Sequence, residues 1–389
     1  MLSASLLFAS CNKDVQQFSI PIAIASGTIS LDSMLKSNPN DSLYYKLIKR
    51  ASLSPTNFVN ILRGSSSTNS YTLFVPDNAA MIASGFSDAV VSAIPVASAF
   101  GIVSYNLIPQ TYDTAAIPNV FPNFPVGTSI FLSPAAPFLT LRTFPSKRPG
   151  ILRVNTLPMT TPLNVKANNG IIHHVAGLIA PPALSFLWNR IDVDSTPVTG
   201  LRYLRAAILR ADSGTGTPGT LVSVLNNPAA NLTVFAPIDA VFQATLTALI
   251  TQALIAQGLD PASAAANATA LASTPAVFSN PLLYGSLTAT TVKGIVVYHL
   301  FSKTAFTANF PTTPTKYPTL LNTAIPAHPG VELAATFTGA FATSATVKGL
   351  GNATPANIFI NGAAAPNGSS DQFYINGTLH KISQLLRPQ

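Results

Sequence analysis

The chain has 389 residues, a formal net charge of +8 and only 9% charged residues, whereas about 25% is usual for a soluble protein. Hydrophobic residues make up 48% of the chain, so a disordered protein, which combines low hydrophobicity with high net charge, is excluded. The chain has 21 basic and 13 acidic residues. Its positive charge reflects scarce acids rather than a dense basic stripe, which disfavours nucleic-acid binding. The acids are also mostly scattered, which disfavours paired-carboxylate hydrolysis.

The N-terminal residues carry the only cysteine, Cys11, which excludes a disulfide framework and a cysteine-based zinc site. Residues 1–10 form an uncharged, apolar run, and Phe8-Ala9-Ser10-Cys11 resembles the cleavage region of bacterial lipoprotein signal peptides. In that family the signal is removed before the cysteine, which is then lipidated. The resemblance implies residues 1–27 as signal remnant and tether, a lipid anchor at Cys11 and a cell-envelope location at the outer membrane, on the cell surface or the periplasmic face. An ordinary thiol is the alternative.

Three sequence blocks occur twice along the chain, in the same order. The pairs are 71–79 with 232–240, 101–107 with 294–300, and 169–175 with 376–382. The offsets of 161, 193 and 207 residues place insertions of 32 and 14 residues in the second copy. This pattern predicts one domain written twice, with insertions in its loops.

Each block has a local interpretation in chain order. Thr72–Val75 and Thr233–Ala236 are β-branched and aromatic runs that end at proline, which predicts buried strands followed by helix starts. Residues 109–162 are dense in proline, which predicts loops and edge strands. The Ala- and Thr-rich residues 243–292 predict an extended or additional helix in the second copy. Asn169-Gly170 predicts a tight turn before a strand.

The repeated blocks resemble the fasciclin domain family. The shared features are a strand reading Thr-x-Phe-(Val/Ala)-Pro followed by Asp or Asn and Ala, a later Tyr-Asn or Tyr-His, and a closing Asn-Gly-x-(Ile/Leu)-His-x-(Ile/Val). The resemblance covers residues 28–182 and 198–388, with 183–197 as a short linker. It implies an α+β fold of two tandem fasciclin-like domains, each a β-sandwich or wedge with several helices packed on one side.

The same resemblance implies a non-catalytic function. We expect a lipid-anchored adhesion or binding protein whose two modules bind an extracellular or cell-surface protein or a polysaccharide. No enzyme activity, cofactor, metal or nucleic-acid partner is expected. The alternatives are a binding or scaffold subunit of an outer-membrane glycan-uptake complex and, from a different class, an enzyme with polar residues converging in a pocket.

The candidate binding residues follow from the family's Tyr-His motif. Tyr298-His299 matches it in full, and Tyr105-Asn106 is the counterpart in the first copy, where histidine is replaced. In animal relatives this region is linked to receptor adhesion, so the resemblance implies a contact surface at these four residues. A packing role is the alternative.

Other polar motifs have simpler interpretations. Adjacent His173 and His174 on a strand point to opposite faces; because His173 and His380 occupy the same place in the two copies, we expect both to be core histidines bonded to backbone, and His174 to be exposed. Residues 214–219 match G-x-G-x-x-G, but the preceding segment is helical in pattern, which indicates a surface loop. Asp192-Val193-Asp194 is expected to be a solvated linker.

Overall fold

The computed structural model describes residues 27–64, 70–132, 139–148, 150–216 and 219–389. Cys11, and with it the predicted lipidation site, lies outside the described residues. Within them helices and sheets are both abundant, and the protein belongs to the α+β class that the sequence predicts.

The helices and strands occur in nearly the same order in the two halves of the chain. In the first half they are α1 (Leu31–Ser37), α2 (Ser42–Ala51), α3 (Phe58–Arg63), β1 (Tyr71–Pro76), α4 (Asn78–Ala83), α5 (Asp88–Ala93), α6 (Val96–Tyr105), β2 (Leu107–Ile108), β3 (Val126–Phe131), β4 (Thr140–Thr143), β5 (Pro145–Lys147), β6 (Leu152–Val154), β7 (Leu157–Lys166) and β8 (Gly170–Val175). In the second half they are α7 (Leu187–Val193), α8 (Arg202–Ala211), α9 (Thr220–Leu225), β9 (Leu232–Pro237), α10 (Asp239–Ala256), α11 (Pro261–Leu271), α12 (Ala289–Tyr298), β10 (Leu300–Phe301), β11 (Thr315–Tyr317), β12 (Val331–Thr338), β13 (Phe341–Lys348), β14 (Ala356–Asn357), β15 (Gln372–Tyr374) and β16 (Gly377–Ile382).

The first and last repeated blocks are neighbouring core strands in each half. β1 pairs in parallel with β8 and antiparallel with β2, and Phe74 lies opposite His173. β9 pairs in parallel with β16 and antiparallel with β10, and Phe235 lies opposite His380. The predicted strands are therefore confirmed. The predicted helix start after Pro76 is also confirmed, because the Asp77 carboxylate caps α4 by accepting from the Ala80 amide at 2.7 Å.

In each half the central sheet has helices on one face and strands on the other. Leu73 and Val75 of β1 pack with α1, α2, α3 and α6, whereas Phe74 between them packs with strands β3, β4, β6 and β7. In the second half Val234 and Ala236 face the helices, and Phe235 faces β12 and β13. The alternation follows from the two-residue period of a strand buried on both faces. Both cores thus have the same layers.

Helix α7 lies where the sequence predicts a linker. Leu187 and Ile191 are fully buried in the second hydrophobic core, so most of residues 183–197 belongs to the packed structure of the second half rather than to a solvated connection. The preceding residues also pair with the sheet, because Ala183 donates to the Phe373 carbonyl at 3.0 Å. Leu187 and Ile191 form an apolar i, i+4 pair on one helix face, the pattern of a helix that packs on a core.

The additional helix predicted for the second copy is present as the antiparallel pair α10 and α11. Helix α4 at the equivalent place has six residues, and α10 has 18. By length and composition α10 could cross a membrane. One face of it, with Phe242, Leu246 and Ile250, is buried in the second core, as expected for a helix that packs on a protein core.

The proline-rich residues 109–162 of the first half pack against the second half. The guanidinium of Arg142 donates to the carbonyls of Ala229 and Ala230, at 2.9 Å each. Phe144 makes edge contacts with Phe306 and Phe373, at ring-centroid distances of 5.6 and 5.9 Å. The same segment adds the contacts Phe121–Tyr317, Asn123–Thr304, Ser146–Asn309 and Arg153–Ala340. The two halves are therefore joined by side-chain contacts as well as by the chain between them.

Candidate functional site

Tyr105 and Tyr298, two of the predicted contact residues, are fully buried. The Tyr105 hydroxyl donates to the Arg142 carbonyl at 2.8 Å and accepts from the Asn155 amide at 3.1 Å. The Tyr298 hydroxyl donates to the Gly330 carbonyl at 2.7 Å and accepts from the backbone amide of Leu350 at 3.0 Å. In each half the tyrosine ties the end of a helix to a distant strand or loop.

Asn106 and His299, the other two predicted contact residues, are also buried. Asn106 donates to the carbonyls of Ile102 and Ile179, at 2.8 and 2.9 Å. His299 donates from Nδ1 to the Ile295 carbonyl at 2.8 Å and accepts at Nε2 from the Leu386 amide at 2.9 Å. Burial lowers the pKa of His299 to about 4, so its imidazole is neutral at pH 7. Both side chains connect the last helical turn to the segment that follows the final strand.

The contact-surface interpretation of Tyr105, Asn106, Tyr298 and His299 is therefore corrected. A surface that binds a partner needs accessible side chains, and none of these four is accessible in the folded chain. Their hydrogen bonds instead support the packing alternative, because buried polar groups stabilise a fold when each finds a partner.

The asparagines of the Asn-Gly blocks are also buried, and each joins two helices by hydrogen bonds, a role that the sequence did not indicate. Asn169 accepts from the Leu31 amide at 2.9 Å and donates to the Leu62 carbonyl at 2.8 Å. Asn376 does the same in the second half with Leu187 and Leu225. Each asparagine thus joins the start of the first helix to the end of the third. The turn prediction explained the position of these residues but not this role.

His173 and His380 are core histidines, as predicted. Each donates from Nε2 to a backbone carbonyl, His173 to Tyr112 at 2.7 Å and His380 to Ala305 at 2.9 Å. Each ring also lies beside the phenylalanine of the neighbouring strand. Burial lowers the pKa of both imidazoles. Among the described residues no group of three or more His, Cys, Asp or Glu side chains is placed to hold a metal ion.

His174 is buried and ion-paired, contrary to the exposed position predicted for it. Its Nε2 lies 3.1 Å from the Asp41 carboxylate, and its Nδ1 lies 3.1 Å from the Pro162 carbonyl. Burial lowers the pKa of His174, but the hydrogen bond and negative charge of Asp41 outweigh it, and the pKa is raised. The opposite-face prediction holds: His174 faces the helices, and His173 faces the strands.

Asp194 is likewise buried, contrary to the solvated linker predicted for 192–194. Its Oδ2 lies 2.7 Å from Lys381 Nζ and 2.8 Å from Arg190 Nη2. Burial alone would raise the pKa of Asp194, but hydrogen bonds from Lys381 and Thr196 and the two positive charges lower it. Because Lys381 occupies the position of His174 in the repeat, the two halves place an acid–base pair at the same site of the sheet.

A groove opens above the second of these pairs. We call it the Lys381 groove; its cavity is about 610 Å³, and it is lined by Arg190, Thr196, Thr199, Phe359, Asn361, Asn367, Ser369 and Lys381. A cavity of this size is in the range of small-ligand sites, roughly 300–1,000 Å³. Ile238, Pro366 and Gly368 complete the lining, which therefore combines hydroxyl, amide and cationic groups with one aromatic ring and further apolar surface.

The loop that forms one wall of the Lys381 groove is tied to strand β16. The Phe359 amide donates to the Lys381 carbonyl at 3.1 Å, and the Lys381 amide donates to the Ser369 carbonyl at 2.7 Å. The Ser369 amide in turn donates to the Asn361 carbonyl at 2.9 Å. The side chains of Asn361 and Asn367 are therefore displayed from an ordered loop, and Phe359, 39% exposed, stands at the rim.

The opposite wall contains a strained residue. Val198 has φ 65°, a conformation that β-branched residues rarely adopt. Its neighbour Thr199 directs its carbonyl at Lys381 Nζ, 2.7 Å away. Strain of this kind persists where the surrounding structure enforces it, commonly at functional sites.

Comparison with solved structures finds chains that are similar to this protein. The helices and strands described above define an α+β chain built from two similar halves. A solved structure of a FAS1 domain pair from the insect cell adhesion molecule fasciclin I is similar to it at 14% sequence identity and a TM-score of 0.30, covering 90% of this chain and 98% of the other. No family model and no curated protein matches the sequence.

Proposed function

We propose that this protein is a non-catalytic binding protein of the cell envelope whose second half holds a saccharide chain in the Lys381 groove. The observation that supports this most is the lining of the groove. Hydroxyls and carboxamides, here Thr196, Asn361 and Asn367, form hydrogen bonds with sugar hydroxyls, and an exposed ring such as Phe359 packs on the apolar face of a sugar.

The repeated blocks support the wider part of the proposal. They resemble fasciclin domains, whose family implies adhesion, and we propose that the chain consists of two tandem domains of this kind. The contacts of Arg142 and Phe144 across the two halves limit how far they move relative to each other. A bound polymer would therefore meet one shaped surface rather than two independent modules.

The lipid anchor remains part of the proposal. The sequence around Cys11 motivates it, and it would hold the binding groove at the outer membrane. Fractionation of cells fed a labelled fatty acid tests it: label on the wild type and none on Cys11→Ala is expected. Equal labelling, or labelling of neither, contradicts the anchor without affecting the groove.

Saccharide binding is tested by screening the full chain against immobilised polysaccharides and extracellular proteins. We expect saccharide binding that Phe359→Ala weakens by about threefold to sevenfold. Full burial of a phenylalanine contributes about 1.5–3 kcal/mol, and a ligand can cover only the 39% of Phe359 that is exposed. Phe341→Ala is the matched control, since Phe341 is a comparably exposed phenylalanine outside the groove. Binding only to proteins, or binding that both variants weaken equally, contradicts the proposal.

A further inference from the structure

The charges beneath the Lys381 groove do not balance. Arg190 and Lys381 are the charged side chains among its described lining residues, and Asp194 lies behind them as their shared partner. The Asp194 and Lys381 side chains are 1% and 7% exposed, and that of Arg190 is 10% exposed. Two cations on one carboxylate leave one positive charge in excess in a poorly solvated place.

Hydrogen-bonding capacity also remains unused at this site. Lys381 has three N–H donors, of which Asp194 and the Thr199 carbonyl take two. The Nε of Arg190 is buried without a partner among the described residues. Buried charges and donors are costly when they are not fully paired. A neutral ligand could accept a hydrogen bond from Lys381, but only an anion would also compensate the excess positive charge.

From this we infer that the groove binds an acidic saccharide, one whose sugar rings carry singly charged groups, either carboxylates or sulfate esters. This inference rests on the proposed function and specifies its ligand. One negative charge compensates the single excess positive charge, whereas a phosphate monoester with nearly two charges exceeds it. The Thr196 and Ser369 hydroxyls already donate to Asp194 and to the Phe359 carbonyl, so they can only accept from the ring hydroxyls, whereas the amide nitrogens of Asn361 and Asn367 can donate to them.

The equivalent place in the first half has no such excess. There His174 faces one acid, Asp41, and the carbonyl of Pro162. The long strand β7 pairs alongside it, with Thr160 opposite His174 in the ladder. In the second half the equivalent strand β15 has three residues, and the open space beside Lys381 is the groove. The expected preference for acidic saccharides is therefore a property of the second half alone.

Calorimetric titration of the full chain with matched ligands tests the inference. The ligands are an oligogalacturonate, its fully methyl-esterified form, which has the same rings without charge, and a sulfated oligosaccharide of equal length. We expect the acid to bind roughly tenfold or more tightly than the ester, because hydrogen bonds to charged groups are the stronger ones. The preference should shrink as NaCl is raised. The carboxylate and sulfate arms identify which acid group is preferred.

Variants locate the effect at Lys381. Lys381→Gln should lose the preference for the acid and still bind the ester, and Lys381→Arg should keep the preference. Lys316→Gln removes the same charge from an exposed strand and should change nothing. Equal affinity for acid and ester, or a preference that is insensitive to salt or survives Lys381→Gln, overturns the inference but not saccharide binding. Failure of the wild type to bind either ligand, or any polysaccharide, overturns both.

Discussion

The two halves have a buried acid–base pair at equivalent positions, and the basic residue differs between them. Each buries an acid–base pair between the first two helices and the last core strand, His174 with Asp41 in one half and Lys381 with Asp194 in the other. Asp41 raises the pKa of the His174 imidazole, and this pair is charged only while the imidazole is protonated. In the second half the hydrogen bonds and positive charges of the site lower the pKa of Asp194.

A second contrast lies at the helix ends. Asn106 and His299 both connect the last turn of a helix to the segment after the final strand. Asparagine donates a hydrogen bond at both ends of this connection, whereas histidine donates to the helix and accepts from the segment after the strand. The comparison teaches that the fold requires a polar connector at this place and tolerates either kind. It also explains why a motif that resembles a contact site is buried.

The largest expected difference between the two halves is the loss of stability when the buried acid of each pair is replaced. Asp194→Asn leaves Arg190 and Lys381 facing each other, and we expect a loss of about 3–5 kcal/mol in the free energy of unfolding. Asp41→Asn should cost only about 1 kcal/mol above the raised pKa of His174, because a neutral imidazole loses only a hydrogen-bond partner there. Urea denaturation at pH 9 measures both.

The matched control for these variants is Asp192→Asn. Asp192 forms an exposed ion pair with Arg205, and such pairs contribute about 0–1 kcal/mol. Equal losses for Asp194→Asn and Asp41→Asn would show that the two buried pairs are energetically alike, contrary to the comparison.

The second half should also be the more sensitive to acid. The pKa of His299 in the folded state is about 4, below the unfolded value of about 6.5. Its contribution is therefore complete above pH 6.5 and is lost as the pH falls towards 4, by on the order of 3 kcal/mol. His299→Asn, which copies the first half, should reduce this loss. The pH dependence of the unfolding free energy measures it, and an unchanged slope in the variant would contradict the assignment.

The two buried tyrosines should behave alike. Tyr105→Phe and Tyr298→Phe each remove one hydroxyl that both donates and accepts. We expect each to lower the free energy of unfolding by about 1–3 kcal/mol, since partners are left unpaired. Neither substitution should change saccharide affinity. A loss of binding without a loss of stability would restore the contact-surface interpretation.

The stabilisation by His174 in the first half should depend on pH in the opposite direction from that by His299 in the second half. The raised pKa of His174 means that its stabilisation is complete below the unfolded pKa and is lost as the pH rises through the folded pKa. Asp41 faces the imidazole directly, and Asp77 adds a weaker attraction. His174→Lys, which copies the second half, should remove this alkaline loss. Thermal melts from pH 6 to 9 check this; an identical profile for the variant is the contrary result.

The smallest expected change in stability concerns Val198, in the segment of the second half that follows Asp194. Val198 is exposed and has φ 65°, and asparagine tolerates that conformation better than valine. Val198→Asn should stabilise the protein by about 1 kcal/mol, seen as a melting temperature higher by a few degrees. Val193→Asn, at an exposed helical residue, is the control. No gain would mean that Val198 is not strained.

The sequence predicted the local parts of this structure well. Short apolar runs ended by proline gave the core strands, and the equivalence of His173 with His380 gave their burial. The pairing of His174 with Asp41 and of Lys381 with Asp194 could not be predicted, because it joins segments that only the tertiary fold brings together. The sequence does not distinguish a surface position from a buried one for Tyr298 and His299, because polar residues beside an apolar run fit either place.

Binding of a saccharide in the Lys381 groove is tested most directly by hydrogen–deuterium exchange of the full chain with and without oligogalacturonate. The account predicts slower exchange of backbone amides in residues 195–200 and 359–369, which form the two walls, and unchanged exchange around His174. Protection confined to the first half, or none at saturating ligand, would contradict it.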